Sequence, residues 1–152
     1  MVNVQAIQAL VKGLQRGSVY LVERVESDAN PYVRLVTQGP IRRGDCTIAA
    51  GAEFRFHLNG VTHWQCNISS TDTGDEWDGH FLGGLPGFDS NDLSTYDKFL
   101  FASPRFHFDI RDANVVKRWV EQHPNEQNSY ATGIGPVETY QRLAIVWFDC
   151  DC

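Results

Sequence analysis

The stretch Phe54-Arg55-Phe56-His57-Leu58-Asn59-Gly60-Val61-Thr62-His63-Trp64-Gln65-Cys66-Asn67-Ile68 constrains the fold more than any other part of this sequence. Asn-Gly between two runs of alternating aromatic and polar residues is a strong hairpin signal, because both residues tolerate positive φ. The side-chain pattern then selects the loop length. A two-residue loop would set Phe56 opposite His63 and Phe54 opposite Gln65, mixing polar and apolar residues on both faces. A three-residue loop, Leu58-Asn59-Gly60 with Gly60 left-handed, shifts the register by one and sorts the faces. Phe54, Phe56, Thr62, Trp64, Cys66 and Ile68 then share the buried side, and Arg55, His57, His63 and Gln65 the other.

The rest of the chain is compatible with a sheet-built core. Its 152 residues suit one domain, and Phe 9, Tyr 5 and Trp 4 favour strands over a helical bundle. The net charge of −6 excludes a nucleic-acid backbone as main partner, since that needs clustered Lys and Arg. No apolar run reaches the ~20 residues that cross a bilayer, and the N-terminus lacks the basic flank and apolar core of a secretion signal. A soluble protein is expected, in a virion or in the cytoplasm of a host cell. Cys46, Cys66, Cys150 and Cys152 could form two disulfides or stay four thiols; their spacing does not decide between these, and the lack of an export signal favours reduced thiols. Cys150 and Cys152 alone are too few for a zinc site.

The predicted architecture is α+β and mainly antiparallel, a sandwich or barrel-like sheet within a single domain spanning 1–152. Val4, Ile7, Leu10, Val11 and Leu14 give an amphipathic helix over 4–16 that stops at Gly17. Strands are expected at about 18–26, 32–38, 46–50, 53–58, 61–69, 99–111 and 140–149, with Pro104 marking a bulge or edge. Ile145 to Phe148 is apolar on both parities, as in a strand covered on both faces. Asp112 is placed to cap a helix over 113–122 that buries Val115, Val116, Trp119 and Val120. Residues 70–98 read as a long, ordered, acidic and glycine-rich loop anchored by Trp77, Phe81, Leu85 and Phe88. Its carboxylates miss the spacing of an EF-hand calcium loop.

Two features bear on function. Arg55-Phe56-His57-Leu58-Asn59 recurs as Arg105-Phe106-His107-Phe108-Asp109, and neighbouring strands would bring His57, His63, His107 and Asp109 together as a metal or acid–base site. The tandem resembles the two-histidine phosphoesterases, whose paired strands each carry His, a spacer and Ser or Thr. Asn59 and Asp109 stand where the hydroxyls belong, so the phosphate donors are missing. The second feature is the anchored arm, whose Trp77, Phe81, Leu85 and Phe88 are expected to contact partners. Walker, dinucleotide, H-E-x-x-H and G-x-S-x-G motifs do not occur. The expectation is therefore a non-enzymatic subunit of a larger assembly, a virion component such as a bacteriophage capsid-decoration, neck or tail protein. Its partners would be other protein subunits, copies of itself or virion neighbours, with no nucleic acid, membrane, metal or cofactor. The alternatives are a metal- or histidine-dependent hydrolase and a β-sandwich binder of carbohydrate or a small ligand through Trp77.

Overall fold

A computed structural model describes residues 18–26 and 29–152. The helix expected at 4–16 lies outside the described residues. Two antiparallel sheets stack face to face over an aromatic interior. In chain order the strands are β1 (Ser18–Leu21), β2 (Glu23–Val25), β3 (Tyr32–Val36), β4 (Ile41–Arg43), β5 (Cys46–Ile48), β6 (Glu53–His57), β7 (Thr62–Ser70), β8 (Glu76–Gly84), β9 (Phe99–Ala102), β10 (Phe106–Asp109), β11 (Lys117–His123), β12 (Ser129–Tyr130) and β13 (Ile145–Asp151). One helix, α1 (Pro136–Arg142), precedes the last strand. The first sheet runs β1-β13-β8-β9-β12 with β10 also on β8; the second runs β2-β3-β6-β7-β5-β4 with β11 also on β7.

The β6–β7 hairpin has the register its side chains require. Phe54 faces Trp64 and Phe56 faces Thr62 across the pair. The His57 N–H donates to the Val61 carbonyl at 2.9 Å, closing a three-residue loop. Gly60 there has φ +86°, and a Cβ on it would lie 2.1 Å from Asn125 Oδ1, so both conformation and space demand glycine. Phe54, Phe56, Thr62, Trp64, Cys66 and Ile68 are all buried. Across the interior, Phe54 stacks on Phe81 at 4.0 Å between ring centres and Trp64 meets Phe148 at 4.9 Å. These contacts join the two sheets into one core.

Several expected elements differ. Residues 70–98 are not a long loop: nine of them form β8, which pairs along its length with β13. Its glycines are steric, not breakers. A Cβ on Gly79 would stand 2.5 Å from Phe148 Cε1, so the strand needs glycine where that ring crosses it. The remainder, with a 3-10 turn at Leu93–Lys98, folds over the outer side of the first sheet, where Phe88 and Tyr96 cover Leu82 and Trp147. That cover explains why β13 is apolar on both parities.

The helix expected over 113–122 is strand β11. Its burial alternates, with Trp119 inside and Arg118 and Val120 outside, and it pairs with β7 from Lys117↔Ile68 to His123↔Thr62. Val115, Val116, Trp119 and Val120 fit a helical stripe by spacing, but three are β-branched, and the free side of β7 offered them a ladder. The strand expected over 99–111 breaks at Pro104 into β9 and β10, both beside β8. Ser103 bridges the break: its N–H donates to the Phe81 carbonyl at 2.8 Å, and its hydroxyl accepts from the Phe81 N–H at 2.9 Å. The strand expected at 18–26 divides between the sheets at Val22, and that expected at 140–149 begins only after α1. Pro136 at the first turn and Gly135 at the cap start this helix.

Cys46 and Cys152 form one disulfide while Cys66 and Cys150 are free and buried, a state between the two disulfides and the favoured four thiols. The bond ties β5 of one sheet to the residue after β13 of the other. No helix among the described residues is long and apolar enough to cross a membrane.

Candidate functional site

The polar cluster with the most organised geometry lies on the outer side of the first sheet, where β8 and β10 run antiparallel. Glu76 is opposite Asp109 and Asp78 opposite His107. Residues two apart on a strand share a face, so Glu76, Asp78, His107 and Asp109 all project outward while Trp77, Phe106 and Phe108 turn in. Arg105 lies just before β10 on the same side.

His107 is held by carboxylates at both ring nitrogens. Its Nδ1 is 2.8 Å from Asp78 Oδ1, and its Nε2 is 2.8 Å from Asp109 Oδ1 and 3.6 Å from Glu76 Oε2. Nδ1 also lies 2.8 Å from Arg105 Nη2, and since a guanidinium can only donate and a carboxylate only accept, Nδ1 gives its proton to Asp78 when it carries one and accepts from Arg105 when it does not. Arg105 also bonds to Asp78 through its guanidinium. The hydrogen bond to Asp78, opposed by partial burial and reinforced by Asp109, raises the His107 pKa above its ordinary value. Burial pushes Asp78 the other way, but the hydrogen bonds from Arg105 and His107 prevail and hold its carboxyl below the usual range. The main chain is anchored too, since the His107 N–H donates to Glu121 Oε1 on β11 at 2.9 Å.

Two sets of side chains have the spacing of a metal site in addition to the disulfide region. Glu76, His107 and Asp109 each offer a ligand atom within 4.8 Å of the others, as do Asp45, Asp72 and Asp75. In the second set the hydrogen bond between Asp72 and Asp45 raises the Asp72 pKa, and Asp75 accepts from the Ser70 hydroxyl at 2.7 Å.

The four residues expected to converge are divided between the sheets. His107 and Asp109 belong to the first. His57 and His63 lie on the outer side of the second, in a different network. The His57 Nδ1 is 3.0 Å from the Asn30 carbonyl, and its ring packs 5.1 Å from Tyr32. His63 Nε2 is 3.3 Å from Gln65 Oε1. Between them Glu53 is nearly buried and bound by Arg34 at 3.0 Å and Arg55 at 3.1 Å. The two Arg-Phe-His strands are therefore not neighbours, and no four-residue centre forms.

Trp77, Phe81 and Phe88, expected as contact residues, are buried at 0–2% exposure, and Leu85 is half-buried. Their rings build this chain's own core, so the stacking of a sugar on Trp77 has no exposed ring to use. The residues missed from sequence are Glu76 and Asp78 beside His107; Arg105 is named there only as part of the repeat. Alternation of Glu76, Asp78 and His80 was the available signal, hidden by Gly74, Gly79, Gly83 and Gly84.

Compared with protein-family models, curated proteins and solved structures, the chain matches none.

Proposed function

We propose that this chain is a non-enzymatic structural subunit that associates with other protein chains, its own copies first. The observation that carries this reading is the edge strand β11. Among the described residues it pairs with β7 alone, and it and the residues leading into it expose Val116 at 70%, Val120 at 53% and Val115 at 43%. Glu121 bridges this strand to β10, so the surface it offers a further chain is its outward valine face. Lys117 and Arg118 sit between these valines in a chain of net charge −6, so a basic and apolar edge is matched by acidic surface on a second copy.

The histidines do not converge on one centre: His107 lies on the first sheet, and His57 and His63 of the second sheet are directed at carbonyl oxygens of Asn30 and Gln65. The narrower role, a virion subunit such as a bacteriophage capsid-decoration, neck or tail protein, belongs to this proposal. It draws on the two-layer β architecture and on the exposed valines of β11 and the residues leading into it.

Light scattering coupled to size-exclusion chromatography, from micromolar to millimolar chain, tests the association. Oligomers that dissociate when Val116 and Val120 are both changed to Lys support it. A species that stays monomeric throughout overturns it. Peptides of this chain in purified virus particles test the virion role.

A further inference from the structure

We infer that Glu76, His107 and Asp109 form a binding site for a single divalent zinc ion on the outer side of β8 and β10. The inference stands apart from the assembly role and does not rest on it.

The ligand set follows from strand register. Glu76 and Asp109 are directly opposite across the pair, and His107 is two residues from Asp109 on the same face. Three donors from two rigid strands therefore meet at one point without help from any loop. Nε2 of His107 is 2.8 Å from Asp109 Oδ1 and 3.6 Å from Glu76 Oε2. Around zinc with bonds of about 2.0–2.2 Å, tetrahedral ligand atoms stand roughly 3.3–3.6 Å apart. One contact already has that spacing, and the other opens by about half an ångström when a cation replaces the shared proton.

The arrangement behind the imidazole is the stronger argument. A metal-bound histidine usually gives its other N–H to a carboxylate, which fixes the tautomer and the ring plane. Asp78 is placed to do this, 2.8 Å from Nδ1, with Arg105 bonded to Asp78 and its Nη2 also 2.8 Å from Nδ1; a cation at Nε2 selects the tautomer in which the Nδ1–H goes to Asp78. The His107 main chain is pinned by Glu121 as well. Nε2 is thus directed between two carboxylates by groups that are not themselves ligands. One nitrogen and two carboxylate oxygens suit zinc, and a fourth position stays open to water.

Binding exchanges the Nε2 proton for the ion, so affinity rises with pH. Isothermal titration of the whole chain with zinc chloride at pH 7.5 and pH 5.5 tests the site. The expected result is one ion per chain at pH 7.5, proton release seen in buffers of different ionisation heat, and at least tenfold weaker binding at pH 5.5. His107→Ala, Glu76→Gln and Asp109→Asn each abolish it, and Asp78→Asn weakens it about 10–100-fold without removing a ligand. His63→Ala leaves it unchanged. Circular dichroism confirms folding, and the two exposed carboxylate variants keep the test decisive if His107→Ala misfolds. No heat of binding up to millimolar zinc, or binding equal in wild type, Glu76→Gln and Asp109→Asn, overturns the proposal.

Discussion

Glu121 on β11 accepts the backbone N–H of His107 on β10 at 2.9 Å, a side-chain bond between strands of different sheets. The same oxygen accepts the indole N–H of the buried Trp119 at 3.0 Å, and the other oxygen meets His123. One carboxylate therefore satisfies three donors where the open edges of the two sheets approach each other. Replacing it with Ala orphans the Trp119 N–H in the interior and unfastens β10. The expected loss is about 2–4 kcal/mol, with Glu121→Gln recovering part of it. Urea unfolding followed by tryptophan fluorescence measures this, and an unchanged midpoint would contradict the clamp.

The disulfide is the second test. Cys46 and Cys152 have a sequence separation of 106, so their bond closes most of the described chain. Constraint of an unfolded loop that long is worth about 2–5 kcal/mol. Thiol titration in guanidinium is expected to find two thiols, Cys66 and Cys150, and four after reduction. Thermal unfolding of Cys46→Ser/Cys152→Ser is expected well below that of the wild type.

Gly79 gives a steric prediction. It pairs with Cys150 in the middle of β8, and a Cβ there would stand 2.5 Å from the Phe148 ring. Phe148 stacks on Phe81 at 4.4 Å and contacts Trp64 at 4.9 Å, so it has little room to retreat. Gly79→Ala is expected to cost about 1–3 kcal/mol. Adding Phe148→Leu should return part of that loss, a coupling readable in a double-mutant cycle.

What could be read from sequence divides along physical lines. The hairpin was legible because Asn59-Gly60 and the alternation of Phe54, Phe56, Thr62 and Trp64 agree on one register. The core of β13 was legible because Val146, Trp147 and Phe148 leave no polar face. β11 was misread because its valines and Trp119 satisfy two periods at once, and only the unpaired side of β7 decides between them. β8 was misread because Gly79, Gly83 and Gly84 resemble loop residues until Phe148, Phe101 and Phe88 are seen occupying the space of their missing side chains. Losing β8 also hid Asp78 and Glu76, so His107 was matched with His57 and His63 instead of its actual neighbours. The disulfide depends on β5 and β13 meeting from opposite sheets, which spacing cannot encode.

Asp149 on β13 supplies a prediction whose sign is fixed by its surroundings. It is 1% exposed; one carboxylate oxygen accepts from the Ser90 hydroxyl at 3.4 Å, and the other has no hydrogen-bond partner among the described residues. Burial pushes its pKa up to about 6 from an ordinary 3.8, with the Ser90 bond opposing. Between those values the folded chain holds a proton that the unfolded chain releases. Asp149's contribution is therefore greatest below about pH 4 and falls as pH rises to about 6, by on the order of 1–3 kcal/mol. Two other groups act elsewhere. The lowered Asp78 supports folding above 3.8 and withdraws it as pH falls through its folded value. The raised His107 supports folding below 6.5 and withdraws it as pH rises through its own. Subtracting the stability of Asp149→Asn from that of the wild type isolates the Asp149 window. The difference is expected to shift against the wild type between pH 4 and pH 6 and to stay level above that. A difference that is flat across the whole range would show that Asp149 remains ionised in the fold, with water or Arg43 meeting its second oxygen.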